Sequence, residues 1–268
     1  KKKMPEHPEI RAFVNFINAV VAQTEFTNVA IGRISGVKPE LPSRFKLTAQ
    51  QRGKQIKFNI IPTENSHNNH QITNNAIVVG LGLTGYFKVQ SSPVDAIFSF
   101  LSPNFCLSVL SETPDSFYFH SGDFDKSRSP DPLFEPEQFL KNLLNLKSST
   151  QPLCTALLDQ RFFNGVGNYL RCELLWRLDL HPFTPTNKVD LENLAEELQS
   201  LLEEAFEVVG DTCEFQEFLK CYGKATNRVK VAGRTLWTWK PVVGERVRDA
   251  IVETRVDRVR DFMVALAM

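Results

Sequence analysis

The chain has 268 residues with 31 Lys+Arg against 31 Asp+Glu, and it is 42% hydrophobic, 10% aromatic and 23% charged. That length suggests two domains or one large one, with ample room for a core, and the composition excludes an intrinsically disordered chain. No run approaches 18 consecutive apolar residues, which argues against a membrane-spanning helix, and KKKMPEHPEI lacks the apolar stretch of a secretory signal.

The first periodic segment places Ile10, Phe13, Val14, Ile17, Val20 and Val21 on one face and predicts a helix over 8–24. From about 27 to 120 the texture changes to short β-rich runs: Phe26–Ile34, Gln55–Pro62, Ala76–Gln90, Ala96–Leu101, Cys106–Leu110 and Ser116–His120. Closely spaced short strands separated by turn residues predict a β-sandwich or barrel. Residues 121–136 (SGDFDKSRSPDPLFEP) read as a linker and domain boundary. Beyond it the pattern is helical. Pro136 suits a first turn, with Phe139, Leu140, Leu143 and Leu144 as the apolar face. Further helices are predicted over 152–160, 167–178 and 190–208, the last with Leu191, Leu194, Leu198, Leu201 and Leu202 on one side and glutamates on the other. Residues 228–239 (RVKVAGRTLWTW) predict a β-hairpin turning at Ala232-Gly233, and 243–268 read as a weak amphipathic helix or a frayed tail. The fold class expected is α+β: an N-terminal β-sandwich domain (1–130), a helical domain (131–220), a hairpin (221–242) and a tail of unassigned role (243–268).

The zero net charge conceals an uneven distribution. Residues 1–60 hold 11 basic and 4 acidic side chains, 191–220 hold 1 and 9, and 221–268 hold 10 and 5. A phosphate backbone responds to a basic surface rather than to the sum over a chain. The acidic segment coincides with the outer face of the predicted 190–208 helix, where solvation accounts for it. Five cysteines at wide spacings, without C-x-x-C, suggest a reduced intracellular protein with neither a disulfide framework nor a four-cysteine metal site. His67 and His70 form H-x-x-H in a polar, loop-like run that offers no third ligand, so no metal and no cofactor are expected.

The richest stretch is Leu157–Pro182, LLDQRFFNGVGNYLRCELLWRLDLHP. It reads as a helix end, a glycine-rich turn (Asn164, Gly165, Val166, Gly167) and a new helix opening at Asn168. Backbone N–H groups at a helix start beside glycines hold phosphate well, and Asn168 is placed both to cap the helix and to reach a phosphate oxygen. The run closely resembles the helix–two-turn–helix motif of the Fpg/Nei family, the formamidopyrimidine-DNA glycosylases and endonuclease VIII proteins, and most of all its zincless-finger, endonuclease VIII-like 1 type. Further motifs follow in the family's order. Met4-Pro5-Glu6-His7-Pro8-Glu9 resembles the family's start. Arg52-Gly53-Lys54 resembles its R-G-K, and Gly82-Leu83-Thr84-Gly85-Tyr86-Phe87 its G-M-S-G-x-F. Cys221-Tyr222-Gly223 with Gly233-Arg234-Thr235-Leu236-Trp237 resembles the zincless finger.

The resemblance implies a bifunctional DNA glycosylase/AP lyase acting on damaged DNA held between the domains, without membrane association and as a monomer. The damaged base leaves the stack, and an N-terminal proline amine attacks C1′ to give an imine. By matching, the nucleophile is Pro5, the acid Glu6 and the phosphate-contacting helper Lys54. Asn168 and Arg234 grip phosphates, and Glu173 is structural support. The residue matched by Leu83 fills the space left by the extruded base. A DNA substrate and an animal-like subtype imply the nucleus.

Three departures qualify the match. Residues precede Pro5, and a prolyl nitrogen acylated by Met4 has no lone pair for attack, so the lyase requires processing to Pro5. His7 replaces Gly or Leu, and would crowd the pocket, rotate outward or carry protons near neutral pH. The family's D-x-R-R-F-G loop is missing, and His120–Arg128 offers Phe124 alone as a wedge. A weaker wedge leaves unstacking less compensated and predicts a preference for single-stranded, bubble or forked DNA. Two readings stay open: the enzyme, and a catalytically silent DNA-binding module of the same fold.

Overall fold

The computed structural model describes residues 5–32, 41–63 and 76–242. The chain divides into two compact units after Lys126, inside the proline-rich stretch read as a boundary.

In the first unit, helix α1 (His7–Val21) buries Ile10, Val14, Ile17 and Val21, as the apolar periodicity requires. Its start is a capping box, in which the Glu6 side chain caps the Glu9 N–H and the Glu6 N–H donates to Glu9 Oε2 at 3.0 Å. Eight strands follow: β1 (Asn28–Ile31), β2 (Phe45–Arg52), β3 (Gln55–Pro62), β4 (Ala76–Gly80), β5 (Tyr86–Gln90), β6 (Phe98–Leu101), β7 (Cys106–Leu110) and β8 (Tyr118–Ser121). They form two four-stranded antiparallel sheets, ordered β1-β6-β7-β5 and β2-β3-β4-β8. A shared core joins the sheets, with the Phe58 and Phe100 rings 4.8 Å apart at its centre and Phe26, Phe45 and Phe98 around them.

Strand β2 was not among the predicted runs, although FKLTAQQR alternates as a half-buried strand should: Phe45, Leu47 and Ala49 point inward, Lys46, Thr48 and Gln50 outward. It is an edge strand, and α1 covers that edge. The Asn18 side chain accepts from the Ala49 N–H (2.8 Å) and donates to the Ala49 carbonyl (3.0 Å), supplying the ladder bonds a further strand would make. The run Ala76–Gln90 is two strands, because the chain breaks at Leu81–Gly85, where Gly82 takes φ 63°.

The second unit contains α2 (Pro136–Leu143), α3 (Leu153–Ala156), α4 (Asn168–Arg177), α5 (Leu191–Val208), α6 (Thr212–Phe218) and the hairpin strands β9 (Asn227–Val231) and β10 (Arg234–Thr238). Helix α5 is the predicted amphipathic helix. Asp190 caps it by accepting from the Glu192 and Asn193 N–H groups, both at 3.1 Å, and its leucine face is buried. The helix predicted over 152–160 is a single turn, since the chain bends away in turns that run through Asp159. Helix α6, capped by Asp211, was not anticipated.

The stretch 121–136 is less of a linker than its prolines suggest. Ser129 and Asp131 are buried. The Asp131 carboxylate accepts from the Leu133 and Phe134 N–H groups, and the Ser129 N–H donates to the Gln160 carbonyl at 2.9 Å. The H-x-x-H pair His67/His70 and the 243–268 tail lie outside the described residues.

Candidate active site and nucleic-acid interface

The register of the sheet β2-β3-β4-β8 decides which residues meet in the first unit. Arg52 pairs with Gln55, Gln55 with Gly80, and Gly80 with Tyr118. The β2–β3 turn carrying Lys54 therefore lies at the same end of the sheet as the loop 81–85 carrying Leu83. Gly53 opens that turn at φ 58°, a conformation glycine takes without steric cost.

The start of α1 is fastened to this end by one side chain. Gln51 Nε2 donates to the His7 carbonyl and to the Gly53 carbonyl, each at 2.9 Å. One amide thus ties the peptide after His7 to the peptide before Lys54. Pro5, Glu6 and His7 are buried and Lys54 is half-buried. Full burial of His7 excludes the outward rotamer allowed at that position: the imidazole is packed inside, next to Glu6. Gln51 had no motif to announce it. Its sole signal was a polar residue at the inward phase of an otherwise apolar alternation.

Leu83 stands on a rigid loop. Gly82 lies so close to Ser116 that a Cβ there would sit 2.3 Å from the Ser116 carbonyl oxygen, and one on Gly85 would sit 2.3 Å from that of Leu81. Thr84 Oγ1 accepts from the Glu112 and Thr113 N–H groups at 3.0 Å and shares bonds with the Ser111 and Thr113 hydroxyls. The Leu83 N–H donates to Ser116 Oγ at 2.9 Å, while the Leu83 side chain is 42% exposed.

Phe124 is disposed otherwise. Lys57 Nζ lies 4.8 Å from its ring centroid and 3.0 Å from Asp123 Oδ1. Gln55 Oε1 accepts from the Asp125 N–H at 3.3 Å, and Arg52 Nη1 donates to the Asp125 carbonyl at 3.4 Å. Residues 123–125 are thereby strapped across the outer face of β2 and β3. The bond from Lys57 holds the Asp123 carboxyl below its ordinary value.

In the second unit the glycine-rich turn is braced by Gln160. Its Oε1 accepts from the Gly165 N–H at 3.0 Å and its Nε2 donates to the Val166 carbonyl at 2.9 Å. Asn168 does not cap α4, as had been expected. Gly167 is the N-cap, without a side-chain bond, and Asn168 is the first helical residue. The Asn168 Nδ2 donates to the Thr235 carbonyl in β10 at 2.9 Å, and its Oδ1 accepts from Arg171.

The hairpin turns at Ala232 (φ 49°) and Gly233 (φ 73°), two left-handed residues in a two-residue loop, which places Arg234 at the first position of β10. Its approach is anchored by Glu173. That buried carboxylate accepts the N–H groups of Lys220 (2.8 Å), Cys221 (3.0 Å) and Tyr222 (2.7 Å). Cys221 Sγ donates to the Trp237 carbonyl, and burial pushes its thiol up to about 12. Among the described residues no group of three or more His, Cys, Asp or Glu side chains is placed to hold a metal ion.

Residues 129–217 match the formamidopyrimidine-DNA glycosylase H2TH domain, so the second unit contains an H2TH domain. Across a longer span the chain is similar to endonuclease 8-like 1 of Mus musculus (32% identical over 199 residues, 69% of this chain and 51% of the relative). It is also similar to endonuclease 8-like 1 of Homo sapiens (28% over 282 residues, 87% and 72%). The chain thus spans about half the length of the mouse relative. Solved folds agree. Formamidopyrimidine-DNA glycosylase (MutM) from Thermus thermophilus superposes with a TM-score of 0.70 at 23% identity, and the Lactococcus lactis enzyme in complex with abasic-site DNA with 0.71 at 19%. Each covers 87% of this chain and 97% of the solved one. An H2TH domain is thus what the chain shares with the formamidopyrimidine-DNA glycosylases, alongside its similarity to the endonuclease 8-like 1 proteins.

Proposed function

We propose that this protein is a bifunctional DNA glycosylase/AP lyase that removes oxidised bases, with Pro5 as nucleophile, Glu6 as acid and Lys54 as helper. The observation that carries the reading is the Gln51 clamp, which holds the Pro5-Glu6 end of α1 and the Lys54 turn on one amide. The H2TH domain and the similarity to endonuclease 8-like 1 support the reaction class, and the buried start of α1 fits a site shielded from water.

The Pro5 amine, once freed by processing after Met4, attacks C1′ of an extruded nucleotide. The glycosidic bond breaks and its electrons leave with the base, which takes up the proton the amine gives up. The nitrogen lone pair then forms a double bond to C1′ as the C1′–O4′ bond breaks, and Glu6 protonates the departing ring oxygen. The resulting imine acidifies C2′. Loss of that proton expels the 3′-phosphate by β-elimination, and a second elimination expels the 5′-phosphate. Lys54 contacts phosphate and takes part in the proton transfers. Asn168 and Arg234 hold phosphates of the substrate strand, and the protein works in the nucleus, where such DNA resides.

Strapping of Phe124 against Lys57 supports a preference for single-stranded, bubble or forked DNA, since of the two candidate wedges Leu83 is the exposed one. The test is borohydride trapping on an abasic oligonucleotide, using protein that begins at Pro5 and protein that keeps residues 1–4. A covalent adduct from the first alone is the expected result. No adduct from either, with DNA binding retained, would make the protein a binding module of the same fold. Equal excision from duplex and bubble substrates would remove the preference.

A further inference from the structure

Arg171 lies in the first turns of α4 and is fully buried. Its Nη1 donates to the Cys154 carbonyl in α3 at 3.0 Å, and its Nη2 donates to Asn168 Oδ1. Asn168 in turn donates from Nδ2 to the carbonyl of Thr235, the residue that follows Arg234 in β10. A guanidinium has donors and no acceptor, and a carbonyl oxygen is an acceptor without a donor. With Arg171 on one side and the Thr235 carbonyl on the other, one orientation of the Asn168 amide satisfies both neighbours. Its oxygen faces the buried guanidinium and its NH2 faces β10. Flipping the amide would set oxygen against oxygen and NH2 against guanidinium.

We infer that Arg171 is a positioning residue that locks the Asn168 amide as a hydrogen-bond donor and joins it to the hairpin bearing Arg234. This rests on the proposed binding of DNA. Asn168 is 9% exposed, and the second hydrogen of its NH2 has no partner among the described residues. That hydrogen is a donor for a phosphate oxygen, whereas a flipped amide would turn a lone pair toward the phosphate. Because Asn168 is bonded to the residue that follows Arg234, the two phosphate-gripping residues are set by one buried relay. Arg171 touches no DNA in this scheme and acts wholly through Asn168.

The relay is tested by a double-mutant cycle on duplex DNA carrying a tetrahydrofuran abasic analogue, with affinity measured at fixed low salt. Arg171→Met should weaken binding about 10-fold in the parent and less than about 2-fold in the Asn168→Ala background, because coupled residues lose their interaction once. Arg171→Lys keeps donors without acceptors but cannot span both carbonyl and amide. It should lose about 3-fold in the parent and nothing in Asn168→Ala, so it also decides the question should Arg171→Met fail to fold. Equal losses in both backgrounds, or no loss in either, would overturn the relay while leaving DNA binding intact. A parent protein that fails to bind the duplex would overturn the DNA reading itself, and the relay's role with it.

Discussion

Two loops close to the Lys54 end of one sheet treat an apolar side chain in opposite ways. Leu83 rides on a loop whose backbone is settled by Gly82, Gly85 and the hydroxyls of Thr84 and Ser116, and its side chain projects into solvent. Phe124 sits in a segment of comparable length, but its ring lies against Lys57 while Gln55 and Arg52 hold the following peptide down. In the first loop the ordering cost is met by internal bonds, so the exposed leucine is held ready for the wedge role proposed for it. In the second, the same role for Phe124 would require several contacts to break first.

The comparison breaks most readily at Gly82. A side chain there meets both a left-handed backbone and the Ser116 carbonyl, so Gly82→Ala should cost about 3 kcal/mol of stability, read by urea unfolding. A loss below about 0.5 kcal/mol would mean the loop is not rigid. Next, Leu83→Ala should lower base excision from duplex about 10-fold and leave stability within about 0.5 kcal/mol, while Phe124→Ala should cost excision less than about 2-fold. Equal losses would show that the strap opens readily.

A smaller effect follows from the strap itself. Lys57 depresses the Asp123 pKa, so its contribution is present above the ordinary aspartate pKa and is lost as pH falls through the lower folded value. Exchange of the Phe124 and Asp125 amides, corrected for intrinsic rates, should therefore accelerate on acidification, and Asp123→Asn should abolish that dependence. Lys57→Ala should change global stability by less than about 1 kcal/mol, because its ion-pair partner Asp123 is 67% exposed. Finally, alkylation of the native protein at neutral pH should label exposed Cys213 and spare Cys154 and Cys221, whose thiols burial lifts to about 11 and about 12. Labelling of Cys221 at the rate of Cys213 would show that the Glu173 anchor leaves the hairpin loose.

Much of this was legible in the residues because local chemistry and tertiary role coincide. Ala232-Gly233 needs positive φ twice and adopts it, and the leucine stripe of α5 is buried as its period demands. What escaped was long-range. Asn168 looked like a helix cap because Asn before a helical run usually is one; a carbonyl 67 residues away and a buried guanidinium claim its side chain instead. Gln51 and Gln160 have no periodic signature, since their work is to bond backbone brought near by folding. Ser129 and Asp131 looked like linker because prolines surround them, yet buried hydrogen bonds make them structural.

Whether Pro5 is the nucleophile is decided by reducing the protein on abasic DNA with borohydride, digesting it, and locating the sugar adduct by peptide mass. The adduct is expected on the nitrogen of Pro5, with trapping abolished in protein that retains residues 1–4. An adduct on Lys54 or another lysine, or trapping that persists when Pro5 is acylated, would contradict it.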